Sequence, residues 1–261
     1  MPGVDALAFR PPLVFAPIKA AFQSYRLYRA ARFSWHFLRD PIFRRDHLLL
    51  WRRPAGLFQH RSITRPNRYP AVFEFLRDRL GSVPAPRVLS FGCATGEEVF
   101  SLRHYLPQAA IKGIDINPAN LRACEARRRA EGARGNVCFA QGASALAEPV
   151  ESYDAVLCMA VFVRWSLRNR PDVATSLPHL RFSDYERTTT ELAARVKPDG
   201  YLVIRHAMFR FADTAAATDF ECVLTLPVRG ESFPRFGADN RRLPEATFEQ
   251  VIFQKRASGR P

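Results

Sequence analysis

The chain has 261 residues, 47% of them hydrophobic, which is enough to bury the core of one sizeable domain plus an extension. Its five cysteines are scattered without a C-x-x-C pair, and no apolar run approaches about 18 residues. These features exclude a disulfide framework, a cysteine-rich zinc site and a transmembrane helix. The net charge is +14, and residues 1–80 hold fifteen basic against five acidic side chains. We therefore expect a cytoplasmic protein without a signal peptide or a metal site, whose basic character lies in its first third.

Residues 1–58 are rich in arginine and aromatic side chains and form a predicted helical extension of the main domain, residues 59–261. Within the extension, residues 17–39 are predicted to be helical. Projected at about 100° per residue, the aromatic face of this helix is interrupted by Arg29. Two interpretations stay open: a cap packed on the main domain, or a surface that docks on an acidic partner or a membrane.

From residue 66 onwards, segments with the helical periodicity of apolar residues alternate with short apolar runs typical of buried strands. Helices are predicted over 66–80, 97–106, 118–131 and 184–196, the last one stopped by a turn at Lys197–Gly200. Strands are predicted over 88–91, 111–115, 137–140, 155–160, 201–205, 220–226 and 248–254. This alternation predicts an α/β fold with a mostly parallel sheet and helices on both of its faces.

A glycine turn joins the first strand to the helix that follows it. Gly92, Ala94 and Gly96 are small enough for the backbone to turn sharply and approach a ligand closely. The second strand ends in Asp115, which is placed to accept hydrogen bonds from ribose hydroxyls. A dinucleotide fingerprint requires a small residue where Glu97 stands, so the turn favours a ligand that carries an ammonium group.

In these features the chain resembles the class I S-adenosylmethionine-dependent methyltransferases. The resemblance covers about residues 86–255 and includes the acid at the end of the second strand, the Tyr153–Leu157 strand and Lys197–Gly200 before the fifth strand. Two further strands close the pattern. It implies a Rossmann-like sheet with an antiparallel last strand, and S-adenosylmethionine as the cofactor.

The run Gly92–Ser101 is similar to the turn of the chemotaxis-receptor glutamate methyltransferases, and a segment upstream of the domain agrees with it. By this resemblance Ser62, Thr64 and Arg68 contact the cofactor, and Glu97 and Glu98 are candidates for its methionine ammonium group. Gly142 and Ala143 lie beside its adenine. Turn and strand-end residues complete the predicted cofactor site: Phe91, Gly92, Cys93, Ala94, Gly96, Asp115, Ile116, Asn117, Met159 and Ala160.

The predicted function is methyl transfer to a small-molecule or protein acceptor that the sequence does not identify. Carboxyl methylation of a protein glutamate is one alternative. A non-catalytic binding or scaffold protein is another, because Met159 and Ala160 stand where the chemotaxis family has an Arg-Asn pair. A nucleic-acid methyltransferase is a third alternative, suggested by the basic extension. Nucleic acid is nevertheless not a predicted partner, since the D/N-P-P-Y/F/W motif of base amino methylation is missing.

The residues after the fourth and fifth strands are predicted to face the acceptor, because ligands bind beyond the carboxyl ends of such strands. Arg164 begins an arginine-rich stretch that leads into residues 169–183, a predicted acceptor lid suited to a carboxylate or phosphate. His206 is a candidate general base, and Tyr185 is a third candidate catalytic residue.

Overall fold

The computed structural model describes residues 26–52, 54, 56–59, 61–62, 64–132, 136–168, 170, 172–228 and 233–257. The chain forms two compact units, residues 1–48 and 49–261. The division falls ten residues before the boundary placed at residue 58 from the sequence. Phe58 belongs to the second unit because it is buried in the core of the sheet.

Two helices make up the described part of the N-terminal region: α1, Arg26–Arg39, and α2, Pro41–Arg52, which crosses the boundary between the units. Asp40 separates the two helices, and its Oδ1 accepts a hydrogen bond from the N–H of Phe43 at 3.0 Å. Such an acid before a helix that begins with proline is a typical cap. The predicted helix is thus confirmed over residues 26–39, and residues 17–25 lie outside the described residues.

The second unit begins its regular structure with α3, Pro70–Leu80, four residues later than predicted. Pro70 occupies the first turn, where its missing N–H costs nothing, and Asn67 has a positive φ of 48° that is incompatible with a helix. The apolar face of α3 is buried as expected.

A seven-stranded sheet follows, in the order β3-β2-β1-β4-β5-β7-β6. Strands β1 to β5 are parallel, and β7 is antiparallel to β5 and β6, which confirms the predicted fold class. The strands are β1 Arg87–Phe91, β2 Ala110–Asp115, β3 Val137–Gln141, β4 Tyr153–Met159, β5 Val196–Arg205, β6 Phe220–Pro227 and β7 Phe248–Lys255. The connecting helices are α4 Glu97–Tyr105, α5 Pro118–Ala130 and α6 Phe182–Ala193.

Both faces of the sheet are covered by apolar side chains, because successive residues of a strand point to opposite sides. In β4, Val156 and Cys158 belong to the core that contains Tyr185 of α6. Ala155 and Leu157 belong to the opposite core, which contains residues of α3, α4 and α5. This arrangement explains why the central strands read as continuous apolar runs.

The turn predicted at Lys197–Gly200 is wrong, because these residues belong to β5. Lys197 is held against the neighbouring strand by its Nζ, 2.8 Å from Oδ1 of Asp154. Asp199 has a positive φ of 62°, and the β4–β5 register shifts between Tyr153 and Ala155. The polar stretch is therefore an irregular strand start, which a sequence pattern does not distinguish from a turn.

None of the helices in the described ranges has the length and hydrophobicity required to cross a membrane.

The buried face of α3 allows a direct test of the core. Leu76→Ala should lower the free energy of unfolding by about 2–5 kcal/mol, because Leu76 is fully buried and its loss leaves a cavity. Glu74→Ala on the exposed face of the same helix should change it by less than about 0.5 kcal/mol. Urea titration monitored by circular dichroism measures the free energy of unfolding of both variants. Equal effects of the two substitutions would contradict the packing described above.

Candidate functional site

A pocket lies at the carboxyl ends of β1, β2 and β4, where the glycine turn, two strand ends and the segment before α3 meet; we call it the strand-end pocket. Its volume is about 800 Å³ including space open to solvent, within the range of ordinary ligand sites. Most of the predicted cofactor residues line it: Ser62, Thr64, Arg68, Phe91, Gly92, Cys93, Ala94, Glu98, Asp115, Ile116, Asn117, Gly142, Ala143, Met159 and Ala160. Gly96 and Glu97 do not.

The glycine turn forms one wall of the pocket through close backbone packing. Gly92 has a φ of +75°, and a Cβ built on it would lie 2.4 Å from Cγ2 of Val161. Its N–H donates to the carbonyl of Ile114 at 2.8 Å, which ties the turn to the end of β2. Gly96 instead faces α4 and α5, since a Cβ there would lie 2.9 Å from the ring of Phe100. Gly96 thus supports the turn without contacting the pocket.

Asp115 joins the turn to the start of α5. Its Oδ2 accepts the N–H of Ala94 at 2.8 Å, while Oδ1 accepts the N–H of Asn117 at 2.8 Å and Nδ2 of Asn120 at 3.0 Å. The side chain is only 6% exposed and still lines the pocket. A carboxylate that accepts several N–H bonds is stabilised in its charged form, and its two oxygens offer about four lone-pair sites in total.

Two asparagines beside Asp115 have side-chain atoms that no described protein group satisfies. Asn117 Oδ1 caps α5 by accepting the N–H of Ala119 at 3.0 Å, while its Nδ2 is buried and unpaired. Asn120 Nδ2 also donates to Oγ of Ser62 at 3.0 Å, while its Oδ1 is buried and unpaired. Because buried polar atoms are ordinarily hydrogen-bonded, one free donor and one free acceptor indicate a polar ligand here.

The structure separates the two acids that follow the turn. Glu98 lines the pocket, and its Oε1 accepts a hydrogen bond from Oγ of Ser90 at 2.8 Å. Burial raises the pKa of Glu98 to about 7, against opposing effects from Ser90 and the nearby charge of Arg68. Glu97 is turned away and forms an ion pair with Arg127 at 2.6 Å. Its assignment to the cofactor is therefore corrected: only Glu98 is placed to meet a bound cation.

Arg68 and Tyr69 also line the pocket. The guanidinium carbons of Arg68 and Arg205 lie 5.2 and 5.4 Å from the centroid of the Tyr69 ring. The Tyr69 hydroxyl is buried without a partner among the described residues, and burial raises its pKa well above the ordinary value. Tyr69 therefore stays a neutral donor at physiological pH.

The donor and acceptor groups of this pocket fit S-adenosylmethionine. Asp115 and the two asparagines offer partners for ribose hydroxyls, and the raised pKa of Glu98 falls when a positive ligand group lies beside it. Arg68 offers the opposite charge for a carboxylate. The close approach of Gly92 to Val161 leaves no room for a side chain in that wall.

The three candidate catalytic residues do not line the strand-end pocket. The ring centroids of His206 and Tyr69 lie 5.6 Å apart, and the backbone N–H of His206 donates to Oε1 of Glu249 at 2.7 Å. Burial, with the charges of Arg205, Arg68 and Arg235, lowers the pKa of His206 to about 4. The imidazole is therefore neutral at pH 7, and its role as a base stays a prediction.

Arg164 and Tyr185 take other positions. Tyr185 is fully buried in an aromatic core, so it cannot touch an acceptor, and we no longer assign it a catalytic role. Arg164 donates to the carbonyls of His179 and Leu57 at 2.9 and 3.1 Å. It lines a neighbouring cavity of about 570 Å³ that shares residues 56–58 with the strand-end pocket.

The arginine-rich stretch is partly used by the protein itself. Arg170 forms a two-bond ion pair with Asp172 at the surface, at 2.8 and 2.7 Å. Arg168 stacks over Trp165, with its guanidinium carbon 4.8 Å from the ring centroid. The predicted lid therefore does not present a row of free arginines to the pocket. Asn169, which begins it, lies outside the described residues.

Several lining residues were missed by the sequence interpretation. Asn120 is one helical turn beyond Asn117, and that spacing would have placed both on the same face of α5. Tyr69 directly follows Arg68, but nothing in the pattern marks it. Leu57 and Phe58 were assigned to the extension, and they line the pocket because that segment belongs to the sheet unit.

Comparison with known proteins identifies the family of this chain. Residues 83–226 match the family model described as a methyltransferase domain. An uncharacterized protein of Synechococcus sp. is 28% identical over 137 residues, which cover 52% of this chain and 29% of that protein. The chain thus spans less than a third of the length of that curated relative.

Two solved structures are similar at low identity. The YcgJ protein from Bacillus subtilis is 14% identical with a TM-score of 0.48, over 73% of this chain and 100% of that one. A SAM-dependent methyltransferase from Geobacter sulfurreducens in complex with S-adenosyl-L-homocysteine is 20% identical with a TM-score of 0.37, over 52% of this chain and 47% of that one. The narrower similarity to the chemotaxis-receptor enzymes stays a prediction.

The raised pKa of Glu98 predicts that the affinity for S-adenosylmethionine depends on pH. Below its pKa of about 7, Glu98 must lose a proton before it can pair with a cation, so the affinity for S-adenosylmethionine should rise between pH 5.5 and 7. The limit is about tenfold per pH unit. Calorimetric titration at pH 5.5, 6.5 and 7.5, repeated in two buffers of different ionisation enthalpy, measures both the affinity and the proton release.

Glu98→Gln should bind more weakly and should lose this pH dependence. Glu97→Gln is the matched control, because it removes a neighbouring charge that is paired with Arg127 outside the pocket, and it should retain the wild-type profile. Loss of the pH dependence in Glu97→Gln rather than Glu98→Gln would contradict the assignment.

Proposed function

We propose, from the premise that this chain belongs to the methyltransferase-domain family, that it methylates an acceptor which presents a carboxylate group. The chain is an S-adenosylmethionine-dependent methyltransferase. Asp115 and the amides of Asn117 and Asn120 would hold the ribose of the cofactor, and Glu98 its ammonium group. Arg68 would pair with its carboxylate.

S-adenosylmethionine supplies a methyl group that is already activated by a sulfonium centre. The protein then has to align the acceptor, exclude water and, for some acceptors, remove a proton. The kind of acceptor that the site can methylate depends on whether a side chain there can act as a base. Without a base, the acceptor must already be nucleophilic when it binds; with one, the site can also methylate an acceptor that first loses a proton.

The single observation that supports a carboxylate acceptor is the protonation of the groups that line the pocket. Burial keeps the hydroxyl of Tyr69 protonated, and a hydrogen bond with Cys124 together with burial raises the pKa of Cys93. Asp115 is occupied by three N–H donors, and Glu98, which lines the pocket, would pair with the cofactor cation. The described lining residues thus leave no free base, which favours an acceptor that is already nucleophilic when it binds, as a carboxylate is.

Positive charge on the open side of the site supports the same conclusion. Arg61 lines the pocket and is exposed, with its guanidinium carbon 5.6 Å from the ring centroid of Trp165. The neighbouring cavity is lined by Arg164, Arg181 and Arg187, of which Arg187 already forms an ion pair with Asp184 at 3.0 Å. Guanidinium groups pair with carboxylates in two-bond geometry, so this side would attract an anionic acceptor.

Two kinds of carboxylate acceptor follow from this proposal: a free small acid, and a glutamate side chain of a protein, as the chemotaxis-family resemblance implies. Both give a methyl ester, which mild alkali cleaves to methanol. A tritiated methyl donor therefore distinguishes ester formation from methylation of nitrogen, sulfur or carbon, whose products retain the label in alkali. Size fractionation of the products separates small-molecule acceptors from protein acceptors.

With such an assay, wild-type enzyme and an extract of metabolites and proteins should give a product that releases volatile label in mild alkali. Arg61→Gln should raise the KM for the acceptor about tenfold or more, the scale of a lost charged hydrogen bond of about 1.5–3 kcal/mol. Arg65→Gln is the matched control, because Arg65 is exposed but does not line the pocket, and it should leave KM unchanged. A product whose label resists alkali would contradict the carboxylate acceptor.

A further inference from the structure

Helix α1 carries two separate apolar faces, only one of which is used for contacts with α2. On the inner face, Phe33 packs against Phe43 and His47, with ring centroids 5.4 and 5.0 Å apart. Phe37 stacks on Phe33 at 5.7 Å. These aromatic contacts account for the pairing of the two helices.

The second apolar face is exposed. Leu27, Trp35 and Leu38 are 79%, 57% and 73% exposed. At 100° per residue they fall within about 80° of one another, and they lie away from the Phe33 face. The described residues expose ten large hydrophobic side chains. Four of them, these three and Leu48 of α2, lie within residues 26–48. Scattered exposed leucines are ordinary, but a concentrated stripe of this kind marks an interaction surface.

Arginines border the stripe. Arg32 and Arg39 are exposed next to it along the helix, and the guanidinium carbon of Arg39 lies 4.0 Å from the centroid of the Trp35 ring. Residues 26–48 contain six arginines and two aspartates. The surface therefore combines large apolar side chains, a tryptophan and a net positive charge.

We propose that this stripe of α1, formed by Leu27, Trp35 and Leu38 with Arg32 and Arg39 beside it, docks on an anionic lipid surface. Charge complementarity identifies the occupant: arginines pair with lipid phosphates while leucine and tryptophan enter the boundary between headgroups and acyl chains. The fourteen described residues of α1 span about 21 Å, less than a membrane-spanning helix needs, so we place this part of the helix in the plane of the surface.

Lipid fits the stripe better than nucleic acid does. Arginines alone would serve for binding to phosphate backbones, and the two most exposed leucines would stay in water in such a complex. On a lipid surface the same leucines leave water. The proposal concerns only the N-terminal unit and does not depend on the methyl acceptor or on the cofactor.

Co-sedimentation of the full chain with vesicles tests the proposal. Vesicles of phosphatidylcholine with about a third phosphatidylglycerol should retain the protein, pure phosphatidylcholine vesicles should retain much less, and raising the salt concentration should weaken retention on the anionic vesicles. Leu27→Ser/Leu38→Ser should lower the vesicle affinity at least tenfold. Leu146→Ser/Val150→Ser is the matched control, because these side chains are equally exposed on the sheet unit, and it should bind like the wild type.

Circular dichroism and thermal unfolding establish that each variant is folded; because Leu27 and Leu38 are exposed, both variants should match the wild type. Undiminished vesicle binding by the folded Leu27→Ser/Leu38→Ser variant would overturn the proposal. So would failure of the folded wild-type chain to bind anionic vesicles, or retention on RNA or DNA that the same double substitution abolishes.

Discussion

A buried carboxylate, that of Asp115, is the interaction on which the candidate site depends. It ends β2 and accepts the N–H of Ala94 in the turn after β1, the N–H of Asn117 before α5, and the amide of Asn120 within α5. The turn after β1 and the start of α5 are thereby fixed around one pocket. Ser62 is added through its contact with Asn120, which ties the segment before α3 to the same network. Removing the carboxylate would leave several buried donors unpaired, so binding and local order are linked.

Around this network the pocket contains charges of both signs. Asp115 and Glu98 belong to the end of β2 and to α4, while Arg61 and Arg68 belong to the segment before α3, and the charge of Arg68 lowers the pKa of Glu98. A cofactor that carries a positive sulfonium and ammonium, and an acceptor that carries a negative charge, would each meet opposite charge. Burial raises the pKa of Glu98, so a cationic ligand beside it would offset the cost of burying its charge.

The sheet was predictable because apolar runs, the glycine turn and the acid ending β2 are local signals with a direct physical meaning. The site was predictable in outline, since strand ends and turns fix where Gly92 and Asp115 must lie. Whether Glu97 or Glu98 faces the pocket depends on the rotation of α4, which its sequence does not set. The exposed face of α1 was not predicted, because the helical projection followed the aromatic side chains and Phe33 lies on the face that contacts α2.

The central claim is that the strand-end pocket binds S-adenosylmethionine with its ribose at Asp115 and its ammonium group at Glu98. A crystal structure of the full chain with S-adenosylhomocysteine tests it most directly, because that product keeps both groups. The account predicts ribose hydroxyls within hydrogen-bond distance of Asp115 and of the free amide atoms of Asn117 and Asn120, with the ammonium nitrogen near Glu98. A ligand bound elsewhere, or bound in the pocket with its amino acid end at Asp115, would contradict it.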